Sequence, residues 1–352
     1  MTERRAFKAR ARTLMVETGQ TYAQAAAILE ADNPARPAPR HPASALVVAL
    51  LRTAGIELVP EAAFGIGGGI GFMYAVFSYA GVDHPLLTIV CQHHPDPWAP
   101  AILDRLDVPY VSVSTKSAVA ALLSEERPLI LPMADEGRAR PDPSEDPREE
   151  HVVLALADQG GFRVFDGSGE GRTMQADEVL SAYMRTRRKH PVITLEATAD
   201  ARLDVPAALN AGLRACVSGM REPVLGNSFD VNFGLSGLGK WARLADARGK
   251  DGWPALFGDD GQWRRRLVDG IEREHTASTA GRPLFVRTLR AAGFRTVAHA
   301  FEQSAHHWRA ISHRSASGTL TYAQLAHEVR TIAEHEANGI RTLKDALGPS
   351  PV

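Results

Sequence analysis

The chain has 352 residues, 44% hydrophobic and 23% charged, a globular composition long enough for one large domain or two ordinary ones. Forty Lys and Arg offset 41 Asp and Glu for a formal net charge of −1, so the balance gives no reason to expect a nucleic-acid partner. Two cysteines, Cys91 and Cys216, are too few for a disulfide framework or a thiolate metal cluster. No apolar run approaches the roughly 18–20 residues of a membrane span, and none follows the charged start of the chain as a signal peptide would require. The expectation is a cytoplasmic protein with no membrane partner.

In chain order, residues 5–32 read as a helical preface, with Thr21 placed to cap a second helix over 22–31. Pro34, Pro37, Pro39 and Pro42 cannot continue a helix, so 33–42 reads as an extended linker. Residues 43–54 are apolar nearly all round and stop before Gly55, the pattern of a buried helix with a glycine after its end. The glycine-rich stretch 64–72 follows. Short apolar runs at 86–90, 110–113, 129–132, 151–155, 162–166 and 191–195 predict strands, and amphipathic patterns at 99–106, 116–123 and 176–185 predict helices between them. Residues 133–150, rich in Asp, Glu, Pro and Arg, predict a polar loop. From about 200 the pattern is helical, with no convincing strand. The order is that of an α+β chain in three parts: an N-terminal helical extension over 1–35, a strand-bearing domain over 36–198 and a helical C-terminal domain over 199–352, the change falling near Thr198–Asp204.

Several motifs invite a chemical reading. Gly65, Gly67, Gly68, Gly69 and Gly71 suggest a phosphate loop, but no Lys-Ser/Thr follows and no adequate strand precedes them. A tight backbone crossing beside a pocket wall is the better reading, and no nucleotide or other cofactor is expected. Cys91-Gln92-His93-His94 looks metal-like, yet adjacent histidines at a strand end point to opposite faces, so no metal is expected and Cys91 reads as a small buried hydrophobe. Trp241, Trp253 and Trp308 read as core or interface residues. His151 opens an apolar strand, and a turn around Asp158-Gln159-Gly160-Gly161 leads into a strand ending at Asp166. That hairpin sets Asp166 near the His151 end, and a carboxylate beside an imidazole fixes its tautomer and makes it a base.

Taken together, His41-Pro42-Ala43-Ser44, Leu51, Gly55, Leu58, Glu61, Phe64 and the glycine run to Phe72 resemble the start of the butirosin biosynthesis protein H, N-terminal domain family. The His151 strand and Val164-Phe165-Asp166 resemble that family's later hallmark, so the likeness covers about 36–198. The tail, with Asn232-Phe233-Gly234-Leu235 and Lys240-Trp241-Ala242, resembles the domain of unknown function that commonly follows; 282–292 fits that domain's Arg- and Glu-rich helix loosely. The resemblance implies a papain-like, cysteine-peptidase-like domain followed by a mostly α-helical one. It also implies an antibiotic-biosynthesis acyltransferase, which moves an acyl group from a carrier-protein thioester to an amine by Cys–His–Asp logic.

One departure is central. The family has cysteine directly after the histidine equivalent to His41; here that position is Pro42, which suits the first turn of a helix but carries no nucleophile. Three readings stay open. Ser44, two residues on, is a candidate nucleophile activated by His151. His151 with Asp166 is a candidate general base acting without a covalent intermediate. Or the chain binds a partner or carrier protein without reacting. The reading adopted is the second: acyl transfer or cyclising condensation on an acyl or amide carbonyl. Backbone N–H groups at the start of the 43–54 helix would polarise the carbonyl oxygen. Glu61, Gly67, Gly68, Gly69 and Phe72 would shape the pocket, with His41 at its mouth. The partners expected are a small acyl or amine substrate, presented by a carrier protein, and a second copy of the chain against the helical tail.

Overall fold

Prolines set two helix starts. Pro42 opens α1 (Pro42–Thr53) and Pro60 opens α2 (Pro60–Ile66), each where a missing N–H costs nothing and the fixed φ suits the helix. In the computed structural model the described residues are 8–9, 12–13, 40–79, 85–93, 97–134, 150–166, 171–186, 191–196, 203–258, 261–274 and 276–349. Contacts divide the chain into a short unit, Met1–Pro39, and a second, Arg40–Val352, whose structure follows. The Thr21-capped helix, nearly all of the preface and linker, and 135–149 of the polar loop lie outside the described residues. At the far end of α1, Gly55 takes a left-handed φ of 75° and its N–H closes on Arg52 O at 3.0 Å, the cap that the sequence pattern requires.

The fold is mixed α and β, with a six-stranded antiparallel sheet and a helical C-terminal region. A separate two-stranded ribbon pairs β1 (Ile70–Phe77) with β2 (Leu86–Gln92), Ile70 opposite Gln92 and Phe77 opposite Leu86. β1 is absent from the strands expected above. Its first six residues are all buried, so it lacks the alternation that marks a half-exposed strand, and it starts inside the glycine run. The larger sheet runs in the order β3 (Tyr110–Val113), β8 (Val192–Leu195), β4 (Leu129–Ala134), β5 (Glu150–Asp158), β6 (Gly161–Phe165) and β7 (Gly171–Met174). β7 is a polar edge strand, and its Gly-Arg-Thr-Met sequence carries no strand pattern. Between β5 and β6, Asp158 pairs with Gly161, leaving Gln159 and Gly160 as a two-residue turn with φ of 33° and 88°. Positive φ at both positions matches strand twist in a tight hairpin.

Period-2 alternation gives this sheet two apolar faces. Leu129, Leu131, Met133, Val153, Ala155, Phe162, Val164 and Val192 pack on α4 (Lys116–Ser124) and α5 (Ala176–Met184). The intervening Ile130, Leu154 and Ile193 join the main core with Leu46, Leu50 and Leu51 of α1. That same core runs on through α3 (Trp98–Arg105) and the C-terminal helices α6 (Val205–Arg221), α7 (Gly234–Leu244), α8 (Trp253–Phe257), α9 (Gln262–Glu272), α10 (Arg282–Ala291), α11 (Arg295–Ala316) and α12 (Tyr322–Leu347). Strand region and helical tail thus share one hydrophobic interior. Trp241, Trp253 and Trp308 are in its centre, as expected of core residues.

A buried ion pair ties the tail to the ribbon. Arg282 and Glu336 are both 0% exposed and meet as a fork, Nε to Oε1 and Nη2 to Oε2 at 2.8 Å each. The remaining guanidinium protons go to Cys91 O at 2.9 Å, Ala280 O at 2.7 Å and Gly71 O at 3.2 Å, so all five donors are used. Ser304 Oγ and Trp308 Nε1 donate to the carboxylate at 2.7 and 2.9 Å. Burial by itself would lower the Arg282 pKa; the facing carboxylate overrides it and raises the value, so the guanidinium stays charged.

Candidate functional site

His41 sits just outside α1 in extended conformation, and its side chain caps the helix: Nδ1 accepts the Ser44 N–H at 3.2 Å. Pro42, at the first helical position, has no N–H to satisfy. A ring nitrogen that accepts a backbone N–H is unprotonated, so the imidazole proton is on Nε2, where it meets Gln92 Oε1 at 2.6 Å. Ser44 Oγ lies 3.1 Å from Nδ1 and 3.2 Å from His41 O. A hydroxyl, an imidazole and an amide oxygen therefore stand in series at a helix N-terminus.

Three elements converge to build this. The start of α1 supplies Ser44 and, as its cap, His41; the last residue of β2 is Gln92, and α3 opens with Trp98, whose ring centroid is 4.1 Å from that of His41. Phe64 of α2 closes the other side of His41 at 5.2 Å, edge to face. The glycine run makes the convergence possible. A Cβ on Gly67 would come within 2.2 Å of Trp98, and one on Gly71 within 2.2 Å of Gln92 O. Gly68, at φ 112°, lies against His93, and Gly69 against Phe285. The run is a close crossing, as its composition suggests, but the residues it meets are packed side chains and backbone.

The candidate residues separate accordingly. His41 and Ser44 are brought together, and both are 2% exposed. His41 is thus not at a pocket mouth: its use as the α1 cap draws the ring inside, while Pro42 is exposed and Ala43 half-buried. Glu61 pairs with Arg287 of α10, and its carbonyl accepts Thr288 Oγ1 at 2.7 Å, which fastens α2 to α10. Phe72 is buried in the main core, its ring 5.7 Å from that of Trp241. His151 is in β5, paired with Met133; its side chain lies outside the described residues. Asp166 directly follows Phe165, the partner of Leu154, so the hairpin sets it near the His151 end of β5.

Cys91 and Cys216 are buried, and burial pushes both thiols up to about 12, which keeps them protonated and inert. His93 is buried, and His94 lies outside the described residues. Among the described residues no group of three His, Cys, Asp or Glu could hold a metal ion. Sequence reasoning missed Gln92 and Trp98 as partners of His41. Gln92 is 51 residues away, and nothing in its neighbourhood marks it as more than a strand end. Comparison with the models of known protein families finds no match, and comparison with curated proteins finds none.

Proposed function

We propose that the chain handles an acyl or amide carbonyl at the start of α1, as a papain-like relative of the butirosin-H family in which Ser44 stands in for the missing thiol. The reaction class is acyl transfer or cyclising condensation in natural-product biosynthesis, on a small acyl or amine substrate delivered by a carrier protein. One observation carries the reading: Ser44 Oγ, His41 and Gln92 Oε1 follow one another at 3.1 and 2.6 Å at a helix N-terminus.

Ser44 Oγ adds to the carbonyl carbon as its proton passes to His41 Nδ1, and Gln92 Oε1 holds the resulting imidazolium through Nε2–H. Once Nδ1 carries that proton it no longer accepts the Ser44 N–H, which is released toward the oxyanion, where the helix end already favours negative charge. The proton then leaves with the departing thiol, alcohol or amine, and an amine, hydroxyl or water takes the acyl group from Ser44.

The test is covalent labelling with p-nitrophenyl acetate followed by peptide mass mapping. A single acetyl adduct on Ser44 is expected, absent in Ser44→Ala and strongly slowed in His41→Ala. No adduct on Ser44 overturns the proposal.

Burial favours a second reading. His41 and Ser44 are enclosed and Nδ1 already serves as a cap, which is what a binding scaffold descended from such an enzyme would retain. Such a protein docks a carrier protein or partner enzyme without turnover. In that case Ser44 is not labelled, and His41→Ala lowers thermal stability without any rate to change.

A further inference from the structure

We infer that the indole N–H of Trp98 is the side-chain donor to the oxygen of a substrate carbonyl at the start of α1, an inference that rests on the acyl-transfer reading above. Trp98 is 7% exposed, and its Nε1 is buried with no hydrogen-bond partner among the described residues. Native proteins rarely leave a buried donor unmet, because the group loses water and gains nothing in return. Other indoles in the same core are met: Trp253 donates to Tyr74 Oη at 2.7 Å and Trp308 to Glu336 at 2.9 Å. Trp241 and Trp263 also carry orphaned N–H groups; Trp241 packs among other aromatic rings and Trp263 between such rings and the Arg264 guanidinium, whereas Trp98 packs on His41 and Phe64. Trp98 is the one that lies against the α1 cap.

Its orientation follows from its contacts. The Cε3–Cζ3 edge of the indole lies on Gly67, and the ring packs against His41 at 4.1 Å. The Nε1 edge is the one across the ring from Cε3 and Cζ3, so it faces away from Gly67. α1 also begins one donor short. Pro42 has no N–H, and the Ser44 N–H is held by His41 Nδ1 until that nitrogen is protonated. Of the first-turn backbone donors this leaves the Ala43 N–H for an ester, thioester or amide oxygen arriving there, and the indole is an unmet side-chain donor in the same neighbourhood. Two donors, Ser44 N–H and Trp98 Nε1–H, would then share the oxyanion.

The experiment uses full-length protein labelled with 15N-tryptophan and titrated with phenylboronic acid, which forms a tetrahedral adduct on a nucleophilic serine. The indole cross-peak that disappears in Trp98→Phe is expected to move downfield at saturation, and not to move in Ser44→Ala. Acylation by p-nitrophenyl acetate should slow by about 10²-fold in Trp98→Phe with KM little changed. Its Tm should not fall by more than loss of ring volume explains, since no hydrogen bond is removed. Boronate binding that depends on Ser44 but leaves the indole peak in place overturns the role of Trp98 and leaves the acyl reading intact. A probe that fails to bind, or binds Ser44→Ala equally, overturns both. Site-specific β-(3-benzothienyl)alanine, which keeps the bicyclic shape without the N–H, replaces Trp98→Phe should that variant not fold.

Discussion

The Nε2 of His41 lies 2.6 Å from Oε1 of Gln92, a contact that joins the cap of the first helix to the end of a strand 51 residues later. It fixes the tautomer, since only a protonated Nε2 can meet an amide oxygen while Nδ1 accepts the Ser44 N–H. Gln92→Leu removes the Oε1 acceptor 2.6 Å from the buried Nε2 and should cost about 1–3 kcal/mol of stability in urea unfolding. Gln92→Glu puts a carboxylate beside the imidazole and should raise the His41 pKa, so the pH limb of Ser44 acylation moves to higher pH. An unchanged limb in Gln92→Glu would mean that His41 is not the base.

Two histidines compete for that role, and paired substitutions separate them. If His41 serves Ser44, His41→Ala should lower acylation by about 10²–10⁴-fold, while His151→Ala leaves it nearly intact. The opposite ranking would return the chemistry to the β5–β6 hairpin, with Asp166 as orienter. The p-nitrophenolate release rate of each variant, beside its Tm, decides between them.

Arg282 and Glu336 give a prediction about stability alone. Arg282→Met leaves a carboxylate buried with Ser304 and Trp308 as its donors among the described residues. Breaking such a pair from one side costs about 3–5 kcal/mol, whereas replacing both partners with apolar residues of similar size removes the uncompensated charge. Urea unfolding should therefore rank wild type above Arg282→Met, with Arg282→Met/Glu336→Leu recovering part of the loss. A double variant no better than the single would show that the backbone bonds to Gly71, Cys91 and Ala280 matter more than the charges.

Acid should loosen the long helices. Burial pushes the His306 pKa from 6.5 down to about 4, helped by Arg309, His307 and His335, and burial with the His307 charge lowers His335 as well. Both are held neutral in the folded chain and take up protons more readily when it unfolds. Their contribution is thus complete above about pH 6.5 and is lost as the pH falls toward 4; for His306 it is up to roughly 3 kcal/mol. Unfolding free energy measured between pH 7 and pH 4 should flatten in His306→Gln. An unaltered slope in that variant would assign the acid sensitivity elsewhere.

The thiols should be silent in the native state. Cys91 and Cys216 are buried and carry raised pKa values, so 5,5′-dithiobis(2-nitrobenzoate) should react with neither until denaturant is added, and then with both. Fast native reaction of either would place it nearer the surface than its packing allows.

Much of the local structure is legible in residue order. The apolar stretch ending at Gly55, the two-residue turn at Gln159 and Gly160, and the helices over Lys116–Ser124 and Ala176–Met184 depend on neighbours a few positions away, and spacing rules report those neighbours directly. β1 escaped because burial on both faces erases alternation, and β7 because an exposed edge needs no apolar residue.

By itself, then, the sequence determined the helix that ends before Gly55, the helices over Lys116–Ser124 and Ala176–Met184, the β5–β6 hairpin and the tolerance of proline at position 42. Only the tertiary structure decided that His41 faces inward to Gln92, that Phe72 and the glycines belong to the packed interior, and that Arg282 finds Glu336 54 residues away. The reason is physical: propensity and periodicity act over one or two turns of chain, whereas a hydrogen-bond partner for a buried polar group is chosen by which surfaces meet when the core closes.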